Sequence, residues 1–396
     1  MDLPDLTGTP NALAAHYRRF RVDERLLLTG HSHQAWPDVA ERGLQRSFDD
    51  AAEHVDDKWA RAEAQAQRVR AGFARLLDDA EGDYALGPST HDLVVRLLSA
   101  LPLRTRPRIV TTDGEFHSLR RQLARLEEEG IEVHRVAAHP AESVGERLAA
   151  AVDDRTAAAM ASCVFFGSAH LAGPLDGALA ACERHGAILL VDAYHALNVV
   201  PYSLREQGLG GAYVVGGGYK YCQLGEGNGF LRLPPGCDLR PAVTGWFAEF
   251  AELEAPVVPG AVRYAAGPAR FAGSTYDPAS HYRAAEVFAF FEEHGLTPTL
   301  LRQVSQHQIG RLARGFDQLD LPPDVIDRDR SVPLARLGGF LALRAPGAGA
   351  LARALRERGV ATDHRGDVLR LGPAPYLADA QLDRALVHLG EAVRAS

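Results

Sequence analysis

Short apolar runs and stretches of helical periodicity alternate along the chain from about residue 57 to residue 320. Apolar residues spaced three and four positions apart predict five helices, at residues 58–77, 89–101, 117–129, 144–152 and 175–185. Short aliphatic or β-branched runs predict buried strands, at residues 108–112, 131–136, 157–163, 187–191, 212–215 and 229–233. This alternation predicts an α/β fold, with a mainly parallel sheet that is covered by helices.

The last third of the chain has a different pattern. Two amphipathic helices are predicted at residues 278–293 and 298–319, then strands at 339–344, 360–362 and 368–371, and a final helix at 379–393. That order predicts a smaller α+β unit, joined to the sheet by the Ala-, Pro- and Gly-rich stretch 252–273. We therefore predict a large domain of residues 45–255, and a small domain made of residues 1–44 and 256–396.

Composition narrows the class of protein. With 396 residues, 46% of them hydrophobic, the chain can bury a sizeable core. Its formal charge of -8 comes from 51 acidic and 43 basic residues that are interleaved, so no surface for nucleic acid or anionic lipid is expected. No apolar run approaches the length of a membrane span, about 18 residues, and the first residues do not resemble a signal peptide. We expect a soluble cytoplasmic protein with a small-molecule partner.

Neither cysteines nor histidines form a metal-binding pattern. The chain has four cysteines, Cys163, Cys182, Cys222 and Cys237, without a CxxC spacing, which is typical of reduced thiols. His31 and His33 could point the same way on a strand, but no third ligand group stands near them in the sequence. No metal site is predicted.

One lysine and one aspartate follow two of the predicted strands. Lys220 lies in the glycine-lined segment 216–221 (GGGYKY), and Asp192 ends the apolar run 187–191. Because ligands gather at the carboxyl ends of parallel strands, both side chains are expected at one site. A lysine amine forms a Schiff base with an aldehyde, and a carboxylate can keep a pyridine nitrogen protonated. Together they predict an enzyme that uses pyridoxal 5'-phosphate (PLP), although alone either could be a solvated lysine or a helix cap.

Other residues fit the same cofactor, each with a plainer alternative. Ser89 and Thr90 open a predicted helix, where a phosphate could bind, but taken alone they favour an ordinary cap of that helix. Phe116 could stack on a planar ring or belong to the core, and His195 could reach the same ring. Arg370 lies in an apolar run, where its guanidinium needs a planar anion. That anion could be a substrate α-carboxylate or the carboxylate of a structural salt bridge.

Taken together, the chain resembles kynureninase, a family of the fold type I PLP enzymes in the class V aminotransferase group. The resemblance extends over about residues 26–377. It is carried by the motifs VDAYHA at 191–196, NVVP at 198–201, GYKY at 218–221, TGWF at 244–247 and LRLG at 369–372.

The resemblance implies a role for each matching position. Cofactor contacts are implied for Lys220, Asp192, His195, Tyr219, Phe116, Ser89, Thr90, Trp246 and Ser274. Lys220 would hold the cofactor and act as the catalytic base, while Tyr219 would contact the phosphate and serve as an acid. Ser274 would reach the phosphate of a partner subunit, which implies a homodimer with shared sites. Arg370, His31 and Ser32 would bind the substrate.

Two departures from the family pattern bear on the substrate. Residues 30–34 (GHSHQ) replace an Asn-Ser-Leu-Gly stretch, and Phe116 is followed by HSL instead of Pro, a small polar residue and Asp. Both regions lie near substrate or cofactor in the family.

The leading hypothesis is a hydrolase that cleaves the bond between Cβ and Cγ of kynurenine or a related amino acid, giving an anthranilate-like acid and alanine. The alternatives are a class V aminotransferase, a carbon–sulfur lyase or epimerase of the same group, and a non-catalytic protein that retains the cofactor. A cysteine desulfurase is disfavoured because no cysteine follows Cys237.

Overall fold

A seven-stranded sheet forms the centre of this computed structural model, which describes residues 1–253, 256 and 259–395, the side chains of residues 251 and 252 excepted. The described residues form three sheets. In chain order, the strands of all three sheets are β1 Leu26–Leu27, β2 Asp83–Gly87, β3 Arg108–Thr112, β4 Glu132–Val136, β5 Thr156–Ser162, β6 Ile188–Asp192, β7 Tyr213–Gly217, β8 Gly229–Leu233, β9 Asp327–Arg328, β10 Leu341–Arg344, β11 Val360–Ala361, β12 Asp363–Arg365 and β13 Val368–Leu371.

Eleven α-helices accompany these strands in the described part of the chain. They are α1 Leu3–Thr7, α2 Val39–His54, α3 Lys58–Leu76, α4 Thr90–Ala100, α5 His117–Glu128, α6 Val144–Ala151, α7 Asp176–Arg184, α8 Ala279–Glu293, α9 Pro298–Gln318, α10 Ala348–Glu357 and α11 Asp379–Arg394. None of these described helices combines the length and the hydropathy that crossing a bilayer requires.

The large sheet has the order β2-β8-β7-β6-β5-β3-β4. Strands β3 to β7 pair in parallel, while β8 and β2 are antiparallel at one edge. Each predicted strand of this region is present within two residues of its predicted bounds. The predicted α/β fold with a mainly parallel sheet is therefore confirmed.

Helices cover both faces of the sheet because alternate residues of its central strand point to opposite sides. On β5, Ala158 and Met160 pack with apolar residues of α4 and α5. The intervening Ala159 and Ala161 belong to the cluster that includes α3, α6 and α7. All seven residues of β5 are buried, as a strand covered on both faces requires.

The rest of the chain builds a smaller sheet with the order β12-β13-β10-β9, in which every pairing is antiparallel. The beginning of the chain joins this unit, because β1 pairs with β11 and Thr29 bridges to Gly372. The predicted limits of the two domains stay a prediction, and the boundary residue 255 lies outside the described residues. So do residues 254, 257 and 258 of the predicted connection 252–273.

Helix α8 differs from the expectation. It was predicted to be amphipathic, but its buried residues include His281, Tyr282, Arg283, Phe288 and Phe291 and leave little of it exposed. The reason is that α8 packs against both α2 and α3 instead of lying on the surface of the small unit. A helix that is covered by two neighbours needs no polar face.

Candidate active site

The carboxyl ends of β6 and β7 open onto one cavity. Asp192 is the last residue of β6, and Lys220 follows β7 by three residues. Both line a cavity of about 290 Å³, together with Phe116 and with Ser89 and Thr90 from the start of α4. The parallel sheet therefore brings together residues that are more than 100 positions apart in the sequence, as its topology predicts.

Lys220 is buried among aromatic rings. Its Nζ lies 2.9 Å from Nε2 of His195 and 5.1 Å from the ring centroid of Phe116. The rings of Tyr194 and Tyr219 follow at 5.2 and 5.5 Å. Burial lowers the pKa of Lys220 to about 7, against the opposing effect of the Asp192 charge. A large fraction of this amine is therefore neutral near pH 7, which is the form that attacks a carbonyl carbon or removes a proton.

Asp192 directs one carboxylate oxygen at its own loop. Its Oδ1 accepts a hydrogen bond of 2.9 Å from the backbone N–H of Tyr194, while Oδ2 has no hydrogen bond from the described residues. Burial raises the pKa of Asp192, and the Tyr194 N–H and the charge of Lys220 act in the opposite direction. Oδ2 is thus available to accept a hydrogen bond from a protonated ring nitrogen, which would also offset the cost of burying this acid.

The polar atoms and glycines of this cavity fit PLP. His195 Nδ1 is buried without a partner in the described part of the chain, so it has capacity for a polar group of a ligand. Burial lowers the pKa of His195 well below its usual value, as does the charge of Lys220. At Gly217 an added Cβ would lie 2.6 Å from the ring of Tyr194. Glycine at this position therefore lets the Tyr194 ring, which lines the cavity, pack closely against the end of β7.

The N-terminus of α4 is the part of this cavity that suits the phosphate of PLP. Ser89 is the N-cap: its Oγ accepts a hydrogen bond from the N–H of Asp92 and donates to the Asp92 carboxylate. Thr90 Oγ1 donates to the carbonyl of Gly216 at 2.9 Å. Both hydroxyls thus have protein partners, and the open donors are the first backbone N–H groups of the helix. Gly229 lets β8 pass close by, since its Cβ would lie 2.8 Å from the nitrogen of Thr90.

Tyr219 and Phe116 form walls of the same cavity. The Tyr219 ring stacks on His33, with centroids 4.7 Å apart, and burial raises the pKa of Tyr219. Its phenol therefore keeps its proton at neutral pH. Phe116 is the residue before α5, and its ring meets that of Phe166 edge to face at 5.4 Å.

Arg370 is held by a carboxylate of the chain itself. Its Nε and Nη2 donate to Asp363 at 2.9 and 2.5 Å, and Nη1 donates to the carbonyl of Phe166 at 2.9 Å. His31 is completely buried and contacts Asp363 through Nε2 at 2.7 Å, so it reaches Arg370 only indirectly. Ser32 is partly buried, and its hydroxyl lies 3.2 Å from Nδ1 of His33. The salt bridge foreseen as an alternative for Arg370 is thus present, and its substrate role stays a prediction.

Two predicted cofactor contacts lie elsewhere. Ser274 lines a second cavity of about 830 Å³ with aromatic residues such as Trp59 and Phe247. Trp246 belongs to the 3-10 helix Trp246–Glu252, is 45% exposed and packs against Phe247 at 4.5 Å. Within one subunit, neither Ser274 nor Trp246 therefore lines the lysine cavity, although the two cavities are adjacent and share Pro88, Glu226 and Gly227.

Sequence reasoning missed two acids at this site. Asp363 lies directly opposite Arg370 across the β12–β13 hairpin, whose turn contains Gly366 with φ of +55°. The signal was an Asp and an Arg placed symmetrically about a Gly-Asp turn. Glu115 is 2% exposed and accepts hydrogen bonds from the hydroxyls of Thr112 and Ser162 at 2.6 and 2.7 Å. Burial raises the pKa of Glu115 to about 7.

Comparison with known proteins gives this geometry a context. Residues 331–389, which include Asp363 and Arg370, match the family model described as the kynureninase C-terminal domain. Over 381 residues the chain is 21% identical to an uncharacterized aminotransferase, YcbU of Bacillus subtilis (strain 168), covering 94% of this chain and 96% of the relative.

Solved structures match over nearly the whole chain. A C-DES variant with glycine linked to its PLP cofactor has a TM-score of 0.81 at 16% identity, covering 95% of this chain and 98% of its own. The fold is that of the fold type I PLP enzymes. The cysteine desulfurase of Thermococcus onnurineus NA1 also gives a TM-score of 0.81, at 15% identity and 98% coverage of both chains. The fold, the C-terminal match and the lysine cavity agree on PLP as cofactor, and they support a class V aminotransferase-like superfamily.

Proposed function

We propose that this chain is a PLP-dependent hydrolase of the kynureninase type, which cleaves the bond between Cβ and Cγ of kynurenine or a related amino acid. The products would be an anthranilate-like acid and alanine. The observation that carries the proposal is the single cavity shared by Lys220, Asp192 and the start of α4. The match of residues 331–389 to the kynureninase C-terminal domain supports this branch of the superfamily.

The cofactor, when bound, supplies an aldehyde carbon for the substrate amine and a ring that accepts the electron pair released at the α-carbon. Asp192, whose Oδ1 accepts from the Tyr194 N–H, would use Oδ2 to keep a ring nitrogen protonated. Lys220 first holds the cofactor, and its amine then becomes free to remove the α-proton of the substrate. Burial favours the neutral form of this amine, so Lys220 is ready to act as a base near pH 7.

The other residues orient the substrate and complete the product. Arg370 binds the α-carboxylate, since its planar guanidinium matches a planar anion. Water adds to the γ-carbonyl carbon, the Cβ–Cγ bond breaks, and the acyl group leaves as the carboxylic acid. Tyr219, whose phenol stays protonated in this cavity, would then supply a proton to Cβ, and Lys220 would return the proton it removed to Cα, which completes alanine.

A second copy of the chain is part of the proposal. Two large apolar side chains that pack on each other, Phe250 at 50% and Trp246 at 45% exposure, are open to solvent, and exposed apolar patches often mark an interface. Leu44 and Phe250 line the 830 Å³ cavity together with Ser274. We propose that a partner subunit covers this region and that Ser274 of each copy contacts the phosphate in the other. Sedimentation of the purified protein as a monomer would contradict this part.

The chain offers an unusually clean test for the cofactor, because it has only two lysines, Lys58 and Lys220. Borohydride reduction should fix the cofactor covalently, and peptide mass mapping should find it on Lys220. Incubation with kynurenine and 3-hydroxykynurenine should then release anthranilate-type fluorescence and equimolar alanine. Cofactor on Lys220 without either product would leave the PLP enzyme standing and reject the hydrolase.

Carbon–sulfur lyase activity is the second candidate. It is favoured by the likeness to the cystine C–S lyase C-DES bound to cysteine persulfide, at a TM-score of 0.80 and 16% identity. Incubation with cystine, followed by assays for sulfane sulfur and pyruvate, tests this candidate. Aminotransferase activity, suggested by YcbU, is tested by transfer of the substrate amine to pyruvate.

A desulfurase remains disfavoured. None of the described residues that line the lysine cavity is a cysteine. Cys163 and Cys222 are buried, and burial raises the pKa of both thiols, which suppresses the nucleophilic thiolate.

A further inference from the structure

The guanidinium of Arg370 has a definite number of donors left for a ligand. Of its five N–H groups, Nε–H and one N–H of Nη2 bind the two oxygens of Asp363, and one N–H of Nη1 binds the carbonyl of Phe166. Within the described part of the chain no other group accepts from this side chain. One N–H on each terminal nitrogen therefore remains, and both can donate to the oxygens of a carboxylate.

Arg370 lies next to the lysine cavity on two sides. Phe166, whose carbonyl it binds, packs against Phe116, and the Phe116 ring is 5.1 Å from Lys220 Nζ. On the other side, the Arg370 guanidinium lies 5.6 Å from the ring of Phe340, which in turn contacts His195 at 6.2 Å. The side chain of Arg370 is 4% exposed, so its direction is fixed by these neighbours and not by solvent.

His31 fixes Asp363 in turn. It is completely buried, and burial lowers the pKa of His31 to about 4, so the ring is neutral at pH 7 and its Nε2–H donates to Asp363 Oδ1. The fit is tight, because a Cβ on Gly372 would lie 2.1 Å from Nδ1 of His31. Burial alone would raise the pKa of Asp363. The hydrogen bond from His31 and the charge of Arg370 outweigh that effect and lower the pKa below its usual value, so this carboxyl is ionised.

We propose that Asp363 is a positioning residue, which His31 holds in place and which turns the two free N–H groups of Arg370 toward the substrate carboxylate. This inference rests on the proposed function, because it needs an amino acid bound at Lys220. It predicts that Asp363 acts on the recognition of the carboxylate and leaves recognition of the amine unchanged. If Asp363 only stabilised the small sheet, its substitution would affect recognition of the carboxylate and of the amine alike.

The chain contains a matched control for this chemistry. On α9 and α11, Asp379 accepts from Nε2 of His307 at 2.9 Å and from Nη1 of Arg311 at 2.9 Å. The side chains of Asp363 and Asp379 are similarly exposed, at 19% and 22%. Neither aspartate lines the lysine cavity itself, but the partners of Asp379 lie on α9 and do not include Arg370, so its substitution removes the same type of His–Asp–Arg contact without changing the contacts of Arg370.

The test measures binding, not turnover. The holoenzyme of the wild type and of Asp363→Asn, Asp379→Asn, Arg370→Ala and the double variant Asp363→Asn/Arg370→Ala is titrated with L-alanine and with ethylamine. These two ligands differ by the carboxylate, and the change in the cofactor absorption spectrum gives a Kd for each. Thermal melting of every variant reports whether it is folded.

We expect Asp363→Asn to raise the Kd for L-alanine about tenfold, which is the effect of losing one charge-assisted hydrogen bond, and to leave the Kd for ethylamine unchanged. Asp379→Asn should leave the Kd of both ligands unchanged. In the Arg370→Ala background, Asp363→Asn should cause no further change in the Kd for L-alanine. If Asp363→Asn does not fold, Asp363→Glu, which keeps the charge, should show a smaller loss for alanine alone.

Unchanged or tighter alanine binding in Asp363→Asn would overturn the inference, as would an equal loss for both ligands. A wild type without preference for alanine over ethylamine would also overturn it. The proposed function fails separately, if the wild type shows no cofactor band or if the band does not depend on Lys220.

Discussion

The two ends of the proposed active site, one for the cofactor and one for the substrate, are assembled differently. The cofactor end, with Asp192, Lys220 and the start of α4, comes from loops at the edge of one continuous sheet. The substrate end joins Arg370 and Asp363 to His31, which is 332 positions away from Asp363. The first end is fixed by the topology of the sheet. The second depends on how the two termini of the chain dock, so changes there can alter the substrate without disturbing the cofactor.

The largest expected effect lies at the cofactor end. Lys220→Ala removes the only group that can both hold the cofactor and act as the base, so turnover should fall by at least about 10³-fold. The absorption band of the bound cofactor should disappear with it. Lys58→Ala is the control, because this second lysine lies at the start of α3, beside the Trp59 ring. Full activity of Lys220→Ala would reject the site.

Arg370→Ala should produce a smaller loss of a different kind. Without its guanidinium the substrate carboxylate loses two charge-assisted hydrogen bonds, and KM should rise by about 10²-fold. The cofactor spectrum should stay that of the wild type, since the cofactor end does not use this residue. Arg311→Ala, which breaks surface ion pairs with Asp379 and Asp383, is the control. A loss of the cofactor band in Arg370→Ala would show that the two ends are not separable.

The pH dependence should also separate the two ends. Only the neutral amine of Lys220 captures the cofactor, and its pKa lies at about 7. The rate at which cofactor-free protein gains its absorption band should therefore rise about tenfold per pH unit below 7 and level off above it. A guanidinium keeps its charge throughout this range, so the affinity for the α-carboxylate at Arg370 should stay flat. Stopped-flow absorbance measures the first quantity, and a rate that does not change between pH 5 and 7 contradicts the prediction.

The smallest effect concerns stability beneath the cofactor end. The folded-state pKa of Glu115 is raised from 4.5 to about 7. Its contribution to the free energy of unfolding is therefore fully present below pH 4.5 and is lost as the pH rises toward 7. The slope should be about 1 kcal/mol per pH unit inside that window. Glu115→Gln, which cannot ionise, should remove this slope in urea titrations followed by circular dichroism. An unchanged slope would mean that another group is responsible.

The sequence predicted the cofactor end well for a physical reason. Buried parallel strands require short apolar runs, and their carboxyl ends meet, so Lys220 and Asp192 could be placed together without coordinates. Helix α2 was not predicted, and its buried residues in the structure are Val39, Ala40 and Gly43. Gly43 instead permits contact, since a Cβ there would lie 2.5 Å from the carbonyl of Tyr282.

The contacts among Arg370, Asp363 and His31 could not be predicted from local sequence patterns. Arg370 was predicted to need an anion, but two anions were possible, and only the hairpin register shows that Asp363 faces it. The burial of His31 follows from β1 joining β11 and from the bridge between Thr29 and Gly372. Such contacts between the two termini leave no periodic signal in either segment.

The bond between Asn11 Nδ2 and the carbonyl of Pro375 fastens the first residues of the chain close to the segment that carries Arg370. Shortening the protein at its beginning should therefore disturb the surroundings of Arg370, and it would also remove core side chains such as Leu6 and Leu13, which are fully buried. Directed evolution of a new specificity should accordingly randomise the opening forty residues and the last hairpin together, and leave the central strands untouched.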